Sequence, residues 1–391
     1  MPGWPYLSIR CILSQPPETN NLFSSFERTD QTTLMRLEQQ IAQLLIIGFA
    51  GDRLSLTSQL ALDLKETGLG GVILFDRLLA NNTRDNNILS AEQTGTLCKD
   101  LQECAGGDLL IAVDQEGGRV SRFKAERGFP TTDSAARLGL SKDPAVTRDS
   151  ALQTADMLAG MGINLNLAPV VDLDLREDNP IISRFERSFA RDQAEVSLHA
   201  AAWIDAHRQH GILSCLKHFP GHGSSAVDSH LGFVDISETW DPIELEPYRA
   251  LIDSGRADIV MAGHLFNSRI DRHLPATLSR PTIDGLLRHE LGFSGPVITD
   301  DMQMRAITDH YGLAEAIVMA LTAGADIIII GNNLQHDPLI ARKIISHVIG
   351  AVMEGDLAEE RISEAWQRVQ ELKRTIHRDI PCKQTVHKPT R

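Results

Sequence analysis

Two short stretches of this 391-residue chain carry side chains able to break a covalent bond. The first, LKHFPGHGSSAVDSHLGF, sets His222, Asp228 and His230 among glycines and serines. An Asp two residues before a His can hold the imidazole in one tautomer and raise its basicity, as a general acid/base requires. By residue type alone, though, a polar surface loop with incidental histidines is the commoner meaning of a DSH triplet. The second stretch, GPVITDDMQM, ends an apolar run with Thr299-Asp300-Asp301. An ionised carboxylate there could attack an anomeric carbon. It could also cap the following helix, so one aspartate is expected to do each job, with Asp300 leaving the strand and Asp301 starting the helix.

The elements that must position these groups repeat along the chain. Helical stretches end near a glycine and run into a short apolar strand at Gly68, Gly162, Gly211, Gly255, Gly292 and Gly324. Glycine suits that junction because it takes the left-handed conformation without a Cβ penalty. LLIIGFA from Leu44 and LLIAVDQE from Leu109 bring the strand count to eight. Nearly all-apolar strands alternating with helical patterns imply a parallel sheet covered on both faces. An open doubly wound sheet shares that alternation. Eight units, and no GxGxxG opening a helix, favour an α/β (β/α)8 TIM barrel. Polar residues mark the strand ends: Asp114, Asp172, Lys217 with His218, His264, Asp300 and Asn332. In such barrels those ends carry the active site.

One barrel domain is expected over residues 35–375, behind a disordered leader (1–34) and ahead of a polar, basic tail (376–391). The stretch GDLAEERISEAWQRVQELKR places Ile362, Ala365, Trp366, Val369 and Leu372 on one face, as a closing helix packed on the barrel would. A net charge of -14 argues against nucleic acid or an anionic membrane as partner, but not against a neutral sugar. No stretch reaches the ~20 apolar residues of a membrane span. The five cysteines (Cys11, Cys98, Cys104, Cys215, Cys382) are scattered and lack CxxC spacing, which suits a reducing compartment and gives neither a disulfide frame nor a zinc site.

KHFPGHG followed by DSH, together with VDQEGGRVSRF, ERSF and ITDDMQM in that family's order, resembles glycoside hydrolase family 3, in its bacterial β-N-acetylglucosaminidase branch. The resemblance covers roughly residues 37 to 375. It implies a retaining enzyme that removes terminal β-linked N-acetylglucosamine (GlcNAc) from small carbohydrates. It also implies Asp300 as nucleophile, His230 as acid/base and Asp228 as its partner, with Asp114, Arg122, Arg187, Lys217 and His218 lining the sugar site. His264 is expected at or just behind the site, His222 as a loop anchor and Arg119 as structural. No cofactor and no metal are implied, and the sequence carries no sign of an oligomeric state. A cytoplasmic role in cell-wall recycling, on a muropeptide fragment or on chitin oligosaccharides, is the expected setting. Ser224-Ser225 depart from the pattern, since many relatives place a charged residue there. The extra α/β domain of longer relatives is not expected here.

Two other readings compete. A metal-dependent barrel hydrolase would gather His218, His222, His230 and His264 around an ion, but three of these share one glycine-rich stretch and fixed ligand geometry is needed. A non-catalytic sugar-binding barrel would use the same pocket without cleavage.

Overall fold

The computed structural model describes residues 34–227 and 232–378. Its strands, in chain order, are β1 (Leu45–Gly48), β2 (Gly71–Ile73), β3 (Leu110–Val113), β4 (Leu165–Asn166), β5 (Leu213–Phe219), β6 (Val234–Asp235), β7 (Ile259–Ala262), β8 (Leu265–Phe266), β9 (Val297–Thr299) and β10 (Ile328–Ile330). Eight of them pair in parallel in the order β10-β1-β2-β3-β4-β5-β7-β9. The two outer strands of that order meet where Ile298 bridges Ile327 in parallel. Thr299 N–H donates to Ile327 O at 3.0 Å, and Ile329 N–H to Thr299 Oγ1 at 3.1 Å, so the sheet closes into the expected (β/α)8 barrel. The eight barrel strands are buried along their whole length, as a parallel sheet wrapped by helices demands. The six junction glycines all have positive φ, between 67° and 116°.

The short parallel pair β6–β8 was not foreseen; it extends the segments that follow β5 and β7. The helix Glu359–Arg378 buries Ile362, Ala365, Val369 and Leu372 against the core, with Trp366 partly covered. Burying each large aliphatic contributes about 1.5–3 kcal/mol, which is why this helix stays on the barrel. Lys373 of the same helix is also buried. Its Nζ donates to Gln43 Oε1 at 2.7 Å, and burial pulls its ammonium down to about 8. The described residues from Leu37 onward belong to one compact unit. Nearly all of the expected leader and tail lies outside the described residues, as do Cys11 and Cys382, whereas Cys98, Cys104 and Cys215 are free thiols. Among the described residues no helix is long and apolar enough to cross a membrane.

Candidate active site

Past the end of β3 the pleat alternates, so Asp114 and Glu116 face the same way while Gln115 faces the other. Gln115 is tied down by Thr132, Arg122 N–H and Asn166. The chain then reverses through Gly117 and Gly118, at φ 96° and 55°. A Cβ on Gly117 would run into the carbonyl of Asp133, so only glycine fits this turn. The reversal brings Arg122 back to Asp114, with Nη2 3.3 Å from Oδ2.

From β5, Lys217 Nζ bridges the two carboxylates, 2.9 Å from Asp114 Oδ1 and 2.7 Å from Glu116 Oε1. Arg187 grips Glu116 with two parallel bonds of 2.7 and 2.8 Å. Such forked pairs fix orientation as well as charge. Arg187 Nη2 also lies 3.1 Å from His218 Nε2. A guanidinium can only donate, so Nε2 accepts and His218 Nδ1 carries the proton toward Asp172 Oδ2 at 2.7 Å. Lys217 and His218, adjacent across a cis peptide, both line the cavity.

Burial alone would raise the Asp114 and Glu116 carboxyls. The cations outweigh it, Lys217 and Arg122 for Asp114, Arg187 and Lys217 for Glu116, and hold both below the ordinary range. Burial would likewise lower the Lys217 ammonium, but the same two acids push it up to about 12. All three therefore stay charged at neutral pH, aligned as donors and acceptors for hydroxyl groups.

Asp300 and Asp301 follow β9 and differ in what their carboxylates bind. Asp300 lines the cavity, its Oδ1 accepting Asp301 N–H at 2.8 Å. Asp301 Oδ1 accepts the N–H groups of Gln303 at 3.0 Å and Gly331 at 2.8 Å. A Cβ on Gly331 would collide with that carboxylate. Burial raises the Asp301 carboxyl to about 6. It braces the turn, although it too lines the cavity.

Asp114, Arg122, Arg187, Lys217, His218 and Asp300 thus share one cavity of about 370 Å³, within the range of small-ligand sites. Asp228 and His230 lie outside the described residues. His222 is buried, its Nδ1 2.6 Å from Ser225 Oγ, in the manner of a loop anchor. His264 sits behind the site: its Nε2 donates to Asp301 O at 3.0 Å, and its Nδ1 is 2.8 Å from Thr277 Oγ1. Arg119 lies on the cavity rim with its guanidinium over Phe185, 5.8 Å from the ring centroid. Asn332 does not reach this cavity; it holds Asp337 by two bonds. The ring nitrogens of His218 and His264 and His222 Nδ1 all have protein partners, so these three histidines do not form a preorganised metal shell.

Sequence reasoning missed Glu116, although its two-residue offset from Asp114 was the signal. It noted Asp172 at a strand end but not that this carboxylate orients His218.

The chain matches the model of the "Glycosyl hydrolase family 3 N terminal domain" over residues 36–372. It is 38% identical over 276 residues to a beta-hexosaminidase of Tolumonas auensis, covering 69% of this chain and 78% of that one. It is 31% identical over 324 residues to Beta-hexosaminidase A of Pseudoalteromonas piscicida, covering 78% of this chain but 53% of that longer protein. Among solved structures, a family 3 beta-N-acetylglucosaminidase from a Paenibacillus strain superposes with a TM-score of 0.79 at 32% identity, covering 87% of this chain and 62% of the other. A beta-N-acetylhexosaminidase from Beutenbergia cavernae superposes with a TM-score of 0.74 at 30% identity, covering 86% and 98%. Joined to a closed barrel whose cavity gathers the matching polar residues, these similarities give one conclusion: the chain belongs to glycosyl hydrolase family 3, in the branch of the bacterial β-N-acetylhexosaminidases.

Proposed function

We propose that this cavity removes terminal β-linked GlcNAc by double displacement, with Asp300 as nucleophile. One observation carries the reading. Asp300 and Asp301 both line the cavity that holds the Asp114–Glu116–Arg187–Lys217–His218 cluster, but the Asp301 carboxylate is taken up by the backbone N–H groups of Gln303 and Gly331. The cluster offers fixed donors and acceptors for the sugar hydroxyls, each of which would cost about 1–3 kcal/mol if buried unpaired. Asp300 attacks the anomeric carbon, the leaving oxygen takes a proton from His230, and water assisted by neutral His230 then opens the glycosyl-aspartate with retained configuration.

The free thiols of Cys98, Cys104 and Cys215 favour the cytoplasm as its compartment, which cell fractionation checks. A muropeptide disaccharide is the first substrate to try, with chitobiose beside it. Asp300→Ala is expected to abolish covalent trapping by an activated 5-fluoro-GlcNAc derivative, and Asp301→Ala to retain it, as read by intact mass. Trapping that survives in Asp300→Ala and disappears in Asp301→Ala would reverse the assignment. His230→Ala is expected to slow glycosides with poor leaving groups about 10²–10⁴-fold and activated aryl glycosides far less.

A further inference from the structure

Glu244 lies in the short helical turn Pro242–Leu245, away from the cavity, and is almost fully buried. Its two oxygens reach a single target, the start of the segment that follows β5. Oε2 accepts Gly223 N–H at 2.8 Å, and Oε1 accepts the Ser224 hydroxyl at 2.7 Å. Among the described residues no Lys, Arg or His lies within ion-pair distance of it. A buried carboxylate is costly unless it is hydrogen-bonded, as this one is by Gly223 and Ser224.

The packing around that contact leaves no room to slide. A Cβ on Gly221 would strike the Glu244 side chain, and one on Gly223 would strike the Leu173 carbonyl. Trp240 Nε1–H donates to Pro220 O at 3.0 Å, and Asn179 Nδ2 donates to the carbonyls of His222 and Gly223 at 2.9 and 3.0 Å. Asp172 Oδ1 accepts His222 N–H at 2.8 Å, so the carboxylate that orients His218 also holds this segment. Residues 220–224 are therefore pinned from three other parts of the chain. Glu244 grips both backbone and side chain there.

We propose that Glu244 is a positioning residue for catalysis, fixing the root of the segment that bears the acid/base. The proposal rests on the assignment of His230 to that role. His230 lies six residues beyond Ser224, a reach of at most about 20 Å, so the root bounds where the imidazole can go. The Ser224 hydroxyl can donate or accept, which lets the grip survive proton uptake by Glu244. Burial raises this carboxyl to about 7, so replacing it by a neutral amide disturbs the fold little.

The test uses the full chain and two GlcNAc glycosides, one with a poor alkyl or sugar leaving group and one with an activated aryl group. Glu244→Ala, which removes both acceptors, is expected to lower kcat on the poor leaving group roughly 10- to 100-fold, with KM nearly unchanged and the activated substrate affected only about 2- to 3-fold, whereas Glu244→Gln, which can still accept from Gly223 N–H and donate to the Ser224 hydroxyl, should restore most of the rate. Ser224→Ala should shift the same ratio in the same direction by a smaller factor, and it serves if Glu244→Ala does not fold. Equal losses on both substrates, a change confined to KM, or a drop in Tm with the ratio unmoved would overturn the proposal. A flat leaving-group response in His230→Ala with the same two substrates would instead remove the acid/base assignment on which it stands.

Discussion

The two ends of this barrel each gather buried carboxylates and cations, yet only one has the makings of a catalytic site. At the carboxyl ends of the strands, Asp114 and Glu116 share Arg122, Arg187 and Lys217 around an open cavity. At the amino ends, Asp326, just ahead of β10, receives Arg288 and Arg361 at 2.6 Å and Arg368 at 3.0 Å. Asp326 Oδ2 also accepts Val297 N–H at 2.9 Å. This second cluster ties the segment before β9 and the closing helix to the sheet, and its donors go to protein carbonyls such as Gly324 O and Ala325 O. Charge density is therefore a poor guide to function. What separates the ends is access, because the upper cluster faces space where a ligand's hydroxyls can take the bonds that protein groups take below.

The largest expected effect tests the lower end. Asp326→Ala leaves three guanidinium groups facing one another and should cost about 3–5 kcal/mol in denaturant unfolding. kcat/KM of the folded protein should stay the same; a large loss of turnover at unchanged stability would erase the distinction between the ends. Next is Glu116→Gln, which keeps the shape but loosens Arg187 and Lys217. It should lower kcat/KM about 10²-fold, mostly through KM, and cost only about 1 kcal/mol of stability because water can enter from the cavity. An unfolding penalty as large as that of Asp326→Ala would make the upper cluster structural as well.

The smallest effect is a pH dependence. The Glu116 carboxyl is held low in the folded protein, so its stabilising contribution is present above the unfolded value of about 4.3 and is lost as pH falls toward the folded one. The Tm gap between wild type and Glu116→Gln should therefore narrow as pH drops from about 5 to about 3. Calorimetry across that range checks it, and a gap that widens would contradict the sign.

Much of the molecule can be read from local pattern. The eight strands fall where apolar runs follow helical stretches, and the junction glycines take the conformation that their position requires. The closing helix buries the face that its period marks out. Asp114, Arg122, Arg187, Lys217, His218 and Asp300, which the motifs single out, share one cavity. Glu116 was legible in principle, since alternation past β3 puts it beside Asp114. The pair β6–β8 was not, because two residues are too few to show a period. Nor were Glu244 and Asp326 legible. A glutamate between Ile243 and Leu245 resembles any acid at a helix start, and nothing near Asp326 in sequence announces arginines 35 and 42 residues away.

By itself the sequence determined the order of strands and helices, the glycine junctions and the family to which the motifs point. Each of these follows from steric preference or hydrophobic period within a few residues. Only the tertiary structure decided which aspartate of the pair is taken up by backbone N–H groups, which carboxylates share which cations, and which cluster lines a cavity. Those choices depend on bonds such as Glu116–Arg187 and Asp114–Lys217, between residues 71 and 103 positions apart. Their partners meet only when the barrel closes, and no local preference encodes that closure.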